Sequence, residues 1–300
     1  MLLSRLAATV FWFGRYVERA EDVARAVSAH ERLCLDLPPE HAPSWRPLLT
    51  LTGGEPEGWR GRAVSEQESV LRFLLTEDQY GSVLAILGRA REDLRATRPL
   101  VPRETWQTLN TAYLALSDLA RTPTLERMVA VLPEVVAACQ QVTAQTTGTM
   151  THDDAYRFLR LGRYLERADM LLRVTTIASV FEAEPAPRPF EDVLWMGLLK
   201  GLGAYQMYRR SNHGRVHPER AFTFLLAEER FPRSLNHCMS QVARELRSLP
   251  HGTALLERCD ACRARPLDAD AGADSATAYG EERLSAIGEL GEAIENLYFA

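Results

Sequence analysis

The sequence predicts an all-α fold: a helical bundle of two repeats related by a pseudo-twofold axis, with the long first helix of each repeat packed near that axis. Two observations lead to this prediction. Long segments keep an apolar period of about 3.6 residues, and no run of alternating β-branched residues favours a sheet. In addition, the string GRYVERAE at 14–21 returns as GRYLERAD at 162–169, which is close to half the chain length away.

The first half opens with a segment free of proline, about 3–36, that is predicted as one helix ended by Pro38 and Pro39. Its apolar face holds Leu6, Val10, Phe13, Val17, Ala20, Ala24 and Val27. The stretch 38–61 is rich in proline and glycine and is predicted as a loop. Helical periodicity returns at about 64–75, 81–98, 103–120 and 124–146.

The second half begins at Thr151-His152-Asp153-Asp154, a polar start with acidic residues at the positive end of the helix dipole. This helix is predicted to run to about 181, where a proline cluster breaks it. Further helices are predicted at 190–210, 217–227, 231–248 and 251–263. A Gly/Asp/Ala stretch at 266–276 is predicted as a mobile loop before a last helix at 277–298.

The repeat extends beyond its first helix. The segment 73–78 (FLLTED) resembles 224–229 (FLLAEE), and 90–95 (AREDLR) resembles 243–247 (ARELR) with one residue missing. Matches at nearly the same offset and in the same order indicate duplication. We therefore expect one domain over 1–300, with pseudo-repeats at 1–146 and 147–300.

Composition excludes several classes of protein. A net charge of -5 argues against a general nucleic-acid binder, and no uncharged stretch is long enough to span a bilayer. No secretion signal is apparent at the start of the sequence, and the five cysteines are scattered, so a cytoplasmic protein with free thiols is expected. A lone Cys-x-x-Cys at 259–262 is read as two cysteines on a helix flank.

The repeated motif places charges on one side of each first helix. On a helical wheel, Glu18, Arg19 and Asp22 fall within about 60° of Arg15. Large apolar residues, such as Phe11 in the first copy, flank the charges in both copies. The charged stripe is therefore predicted to face protein, with arginine and glutamate paired either within a helix or across the axis.

The candidate site is this charge cluster, formed by Arg15, Glu18, Arg19, Arg163, Glu166 and Arg167. Four arginines exceed two glutamates, so the excess needs other acids or an anionic ligand. One interpretation is a buried salt-bridge network that fixes the register of the halves. The other is a pocket for a carboxylate or phosphate, which the planar guanidinium group binds through two hydrogen bonds.

Other candidates are weaker. The acids at 18, 21, 166 and 169 suggest a carboxylate metal site, but arginines surround them and no Glu-x-x-His spacing occurs, so no metal site is predicted. Glu228, Glu229, Arg230 and Arg233 are read as caps and surface pairs at a helix start. No phosphate-binding loop, dinucleotide loop or nucleophile elbow is present, so no cofactor and no catalytic residue is predicted.

Several strings together resemble the bacterial alpha-E domain family. They are LLSRLA at 2–7, FWFGRYVERAE at 11–21, FLL at 73–75, WM at 195–196, AYQMYRR at 204–210, FLL at 224–226 and FPRS at 231–234. The resemblance covers nearly the whole chain and implies an all-helical domain with a Glu-Arg motif, here Glu18-Arg19 and Glu166-Arg167.

Members of that family are commonly encoded beside ATP-grasp-type ligases and transglutaminase-like peptidases. The resemblance therefore implies a non-catalytic partner, or substrate-holding subunit, of an ATP-grasp-type amide ligase that makes or modifies peptides. The expected partners of this chain are that ligase and the transglutaminase-like protein. The alternative is an enzyme of the same pathway that uses the duplicated cluster to bind a small anionic substrate, with a motif glutamate as general base.

Overall fold

A computed structural model describes residues 3–54, 64–77, 81–182, 190–264 and 273–300. The described part is helical and contains no β-strand, so the all-α prediction is confirmed. No helix within these ranges combines the length and the apolar character that crossing a membrane requires.

The α-helices of the first half are α1 (Ser4–Asp36), α2 (Glu66–Leu75), α3 (Val83–Ala96), α4 (Arg103–Arg121) and α5 (Leu125–Thr149). Those of the second half are α6 (Asp154–Glu182), α7 (Glu191–Gly201), α8 (Tyr205–Ser211), α9 (Pro218–Ala227), α10 (Leu235–Ser248), α11 (Leu256–Ala261) and α12 (Ala273–Tyr298). Short 3-10 helices lie at Pro39–His41, Arg46–Thr52, Arg98–Leu100 and Gly252–Leu255.

Side-chain caps define several helix starts. Ser82 accepts a hydrogen bond from the backbone N–H of Ala85, and Ser234 accepts one from His237. Asp153 accepts hydrogen bonds from the N–H groups of Ala155 and Tyr156, which confirms the predicted polar start of α6.

Three predicted boundaries differ from the structure. The continuous helix predicted over 190–210 is wrong: α7 ends before Gly203, whose φ of +66° is left-handed, and α8 begins after it. The helix predicted over 251–263 is wrong as one element: His251, with a left-handed φ of 60°, precedes a 3-10 turn at Gly252–Leu255, and α11 follows and ends at Ala261. Helix α5 runs to Thr149, past the predicted end at 146.

Other predictions are changed only in part or lie outside the described residues. The loop predicted at 38–61 contains the 3-10 helices Pro39–His41 and Arg46–Thr52, and its residues 55–63 are not described. The mobile loop predicted at 266–276 also lies mostly outside the described ranges, and its last residues belong to α12.

Helices α1 and α6 form the centre of the bundle and pack against each other along their length. Around them, α3 and α5 pack on α1, and α10 and α12 pack on α6. Helices α2 and α9 have the same length, as do α3 and α10. This order and packing fit the predicted duplication, which itself stays a prediction.

The closest approach of α1 and α6 depends on the first residue of each repeated string. A Cβ atom added to Gly14 would collide with the backbone oxygen of Leu159, and one added to Gly162 would collide with that of Phe11. The contacts are reciprocal, because Phe11 and Leu159 occupy equivalent positions of the two copies. The glycines allow backbone-to-backbone contact, which brings the following charged residues of both helices face to face.

We expect Gly14→Ala and Gly162→Ala each to lower the free energy of unfolding by about 1 to 3 kcal/mol, because the helices must separate to admit the methyl group. Denaturant unfolding measures the change. The matched control is Gly288→Ala in α12, where an added Cβ meets nothing within 4 Å. That control should be neutral or stabilising by up to about 1 kcal/mol; equal losses in all three variants would contradict the predicted close approach.

Candidate functional site

The repeated charges lie between α1 and α6, inside the bundle. Glu18 and Glu166 have no solvent-exposed surface, and Arg163 is 6% exposed. A buried carboxylate needs charged or hydrogen-bonding partners, since transfer out of water disfavours its ionised form. The partners of each glutamate therefore define the chemistry of this cluster.

Glu166 of α6 is bound by two arginines of α1. Arg15 Nε donates to Glu166 Oε2 at 2.7 Å, and Arg19 Nε donates to Oε1. Burial by itself would raise the pKa of Glu166, but the two guanidinium groups outweigh it and lower the pKa from 4.5 to about 2. Both oxygens of Glu166 are thus occupied by cations at neutral pH.

Glu18 of α1 is bound from the opposite direction. Arg167 of α6 donates from Nε to Glu18 Oε1 at 2.5 Å and from Nη2 to Oε2 at 2.9 Å. Burial opposes ionisation here as well, but Arg167 and Arg233 hold the pKa of Glu18 below its ordinary value. The same contact raises the pKa of Arg167 above its usual range, although burial opposes that shift.

The glutamate of each copy therefore pairs with the arginine that follows the glutamate in the other copy. Glu18 binds Arg167, and Glu166 binds Arg19. Of the two geometries left open by the sequence, pairing within a helix and pairing across the axis, the structure has the second for both glutamates. The charge cluster therefore connects the two halves directly.

The cluster departs from symmetry at one position. Arg15 binds Glu166, but its equivalent, Arg163, makes no ion pair with Glu18. The second cation beside Glu18 is instead Arg233, whose Nη1 lies 3.5 Å from a Glu18 oxygen. Arg233 precedes the N-cap of α10, far from the motif in sequence.

Arg233 also binds two further acids of α1. Its Nη1 donates to Asp22 Oδ1 at 2.5 Å and its Nη2 donates to Glu21 Oε1 at 2.6 Å. The interpretation of Arg233 as a surface residue is wrong, because its side chain is only 12% exposed. A neighbour from the same set does lie at the surface: Arg230 is 89% exposed beside Glu228.

The asymmetry of Arg233 has a counterpart in the sequence. Asp22 is matched by Met170 in the second copy, and Arg233 is matched by Gly81 when the N-cap serines Ser82 and Ser234 are aligned. The extra acid and the extra base therefore occur together on one side and are both missing on the other. Because the second copy has Met170 where the first has Asp22, the first copy carries one additional acid. That difference could have indicated an additional cation near Asp22.

Arg163 is the cation left over by this arrangement. Its Nε and Nη1 atoms are buried and have no hydrogen-bond acceptor among the described residues. Its guanidinium lies 5.1 Å from the ring centre of Tyr164, and its charge lowers the pKa of Glu18 from a distance. Arg163 is thus buried with unused donors.

Outer ion pairs extend the cluster along both helices. Arg25 Nε donates to Glu21 at 2.8 Å, and its equivalent Arg173 donates to Asp169 at 2.6 Å, both with i,i+4 spacing. The cluster and these outer pairs contain the guanidinium groups of Arg15, Arg19, Arg25, Arg163, Arg167, Arg173 and Arg233, and the carboxyl groups of Glu18, Glu21, Asp22, Glu166 and Asp169. Seven cations thus face five acids, so the excess of arginine remains.

Asp22 differs from the two motif glutamates. Burial raises its pKa to about 7; Arg233 opposes this rise, while the neighbouring Glu18 and Glu21 add to it. Asp22 is therefore the acid of this cluster whose protonation changes near neutral pH.

The cysteines, including the Cys-x-x-Cys pair at 259–262, are poorly suited to act as nucleophiles. Burial raises the pKa of Cys238 and Cys259 to about 12 and that of Cys34 and Cys262 to about 11, so these thiols stay protonated and poorly nucleophilic at neutral pH. Cys139 is shifted well upward for the same reason. Within the described ranges, no group of three or more His, Cys, Asp or Glu residues has a geometry that could hold a metal ion.

Comparison with known proteins gives a family and distant relatives. The model of the Alpha-E family, described as "a predicted alpha-helical domain with a conserved ER motif", matches residues 2–299. Uncharacterized proteins of Mycobacterium bovis and of two Mycobacterium tuberculosis strains are 23% identical over 266 residues. The match covers 82% of this chain but only 30% of each relative. No solved structure matches.

We expect Glu166→Gln and Glu18→Gln each to lower the free energy of unfolding by about 3 to 5 kcal/mol, because each leaves buried guanidinium groups without their counter-ion. Denaturant unfolding is the measurement. The control is Asp118→Asn, which removes an exposed pair with Arg127 and should change stability by less than about 1 kcal/mol. Losses for the glutamate variants as small as that of the control would contradict the inferred role of the pairs.

The stability of the protein should also fall as the pH is lowered from 4.5 towards 2. In this window Glu166 is protonated in the unfolded chain but ionised in the folded one, so unfolding takes up a proton and acid favours it. Melting temperatures across this range should decline less steeply for Glu166→Gln than for the wild type.

Asp22 provides an internal check, because its contribution to stability changes with pH in the opposite direction. Its folded pKa of about 7 lies above the ordinary 3.8, so folding takes up a proton and stability contributed by Asp22 is lost as pH rises between those values. Asp22→Asn should remove that loss. If neither Glu166→Gln nor Asp22→Asn changes how the melting temperature varies with pH, these pKa shifts are contradicted.

Proposed function

This chain belongs to the Alpha-E family, and we propose that it is a non-catalytic helical subunit that holds the peptide substrate or the ligase in an ATP-grasp-type amide ligase system. Its duplicated ER motif serves to join the two halves of the subunit. The partner, and not this chain, activates the carboxylate and forms the amide bond.

The observation that carries the proposal is the saturation of both motif glutamates. A general base needs an accessible lone pair and a pKa near the working pH. Glu18 and Glu166 have neither: they are fully buried, arginine nitrogens bind their oxygens, and their pKa values lie below the ordinary range. The motif that names the family thus supports packing of α1 on α6 rather than proton transfer.

Two further points support a role beside a partner. The matched region accounts for only 30% of the mycobacterial relatives, so a region similar to this chain shares a polypeptide with additional sequence there. That arrangement suits a domain that acts next to another. The kind of partner, an ATP-grasp-type ligase, follows from the family resemblance described above.

Co-purification tests the proposal. The full chain, carrying an affinity tag, is mixed with an ATP-grasp-type ligase encoded beside its gene, and ATP-dependent amide formation is measured for each protein alone and for the mixture. We expect the two proteins to elute together, with no turnover by this chain alone and altered turnover by the ligase in the mixture. Turnover by the isolated chain, or separate elution of two folded proteins, would overturn the proposal.

A second candidate function is favoured by Arg163 alone. In this alternative the chain is an enzyme of the same pathway, and the buried donors Nε and Nη1 of Arg163 bind a carboxylate or phosphate substrate.

Thermal unfolding of the wild type and of Arg163→Met in added phosphate or acetate separates the two functions. A rise in melting temperature for the wild type only favours the enzyme. The non-catalytic subunit is favoured if the anions leave both melting temperatures unchanged and Arg163→Met is at least as stable as the wild type. In that case the variant has replaced an unpaired buried cation with an apolar side chain.

A further inference from the structure

A groove lies beside the C-terminal half of α1, between α6 and α7. Its walls are mainly apolar and include Leu33 of α1, Val174 and Ile177 of α6, and Leu194, Trp195 and Leu198 of α7. Small-molecule sites are typically apolar with a few fixed polar groups, and the lining of this groove has that character.

Small residues position α7 at the edge of this groove. A Cβ added to Gly201 would lie 2.6 Å from the Cβ of Ala29, and one added to Gly197 would lie 3.4 Å from Leu33 Cδ1. The axes of α7 and α1 can therefore approach closely on one side. Ala26 and Ala29, which have short side chains, leave the adjoining space unfilled.

Besides His30, the titratable residues that line the groove are one acid and one base. Asp22 and Arg25 both line it and are one helical turn apart on α1, which places their Cβ atoms about 5 to 6 Å from each other. Asp22 accepts the hydrogen bond of Arg233 through Oδ1. Arg25 donates to Glu21 through Nε.

Both residues retain unused hydrogen-bonding capacity. In the part of the chain that is described, Asp22 Oδ2 receives no hydrogen bond, and neither terminal nitrogen of Arg25 donates one. An acceptor oxygen and several N–H donors are therefore unsatisfied on two residues that line the groove within one helical turn of each other.

We propose that this groove binds an apolar α-amino acid as its zwitterion. The ammonium group donates to Asp22, the carboxylate accepts from the terminal nitrogens of Arg25, and the apolar side chain lies between α6 and α7. A carboxylate without an amine would meet the repulsion of Asp22, and an amine without a carboxylate would meet that of Arg25. Opposite charges a few ångströms apart match an α-amino acid, whose own two charges are separated by one carbon.

The surroundings of Asp22 fit this assignment. Glu18 and Glu21 on the same helix are the other acids near it, while Arg233 and Arg167 are the cations that face it. Burial and those acids raise the pKa of Asp22 to about 7, so a bound ammonium group would relieve a carboxyl that is costly to ionise. The inference rests on the groove alone and does not require an amide ligase as partner.

Isothermal titration of the full chain at pH 8 tests the ligand class without any substitution. The probes are L-leucine, L-phenylalanine, 3-methylbutylamine and 4-methylpentanoate; the last two reproduce the leucine side chain with only one of the two charged groups. We expect the amino acids to bind at least about tenfold more tightly than either partial analogue. Equal affinity of leucine and the analogues, or no binding of either amino acid at millimolar concentration, would overturn the proposal.

A matched pair of variants tests the residues. Arg25→Met and Arg173→Met each remove the arginine of an equivalent i,i+4 ion pair, but only Arg25 lines the groove. We expect leucine affinity to fall about tenfold or more in Arg25→Met and in Asp22→Asn and to be retained in Arg173→Met. Retention of affinity in Arg25→Met, or the same loss in both arginine variants at matched melting temperature, would contradict the assignment.

Discussion

The reciprocal pairing of two buried glutamates with arginines of the opposite helix is the constraint on which the rest of this structure depends. Each ER glutamate is supplied by one central helix and neutralised by the other. A buried ion pair adds little net stability compared with apolar packing, but a buried charge without its partner is strongly unfavourable. The pairs therefore act chiefly on specificity: a shifted register of α1 on α6 would separate Glu18 and Glu166 from their arginines and leave a carboxylate unpaired in the core. The surrounding helices pack on a central pair whose relative position is already fixed by charge and by the glycine contacts.

The sequence allows much of this to be predicted, and its limits have physical reasons. Helical period and prolines predict most elements, because they report local backbone preference and one-sided burial. Flanking apolar residues such as Phe11 predict that the charges face protein. Arg233 could not be placed in the same way, since its role arises from a turn that brings it to α1 from more than 200 residues away. The helix break at Gly203 did have a local signal, since glycine readily adopts the left-handed φ that ends a helix. Nothing local shows that α7 and α6 form a groove beside Asp22.

The two halves share a framework but differ where ligands could act. On one side, Asp22 and Arg233 are both present; on the other, Met170 and Gly81 stand in their places. The outer arginines differ as well. Arg25 lies at a groove below α7, whereas a terminal nitrogen of its equivalent, Arg173, lies 3.5 Å from the backbone oxygen of Thr50 in a 3-10 helix. A duplicated charge pattern thus supports two different surroundings, with unused hydrogen-bonding groups at Arg163 of the second copy and at Asp22 and Arg25 of the first.

The crossed pairing also determines which part of the chain can exist independently. Neither half neutralises its own motif glutamate, so a polypeptide ending between α5 and α6 would expose a charged, glycine-lined helix face made to receive another copy. Such a fragment would lack the arginines that bind Glu18, which would favour its association with a second chain. In the intact chain, the short connection between Thr149 and Asp154 keeps the complementary helix at high local concentration.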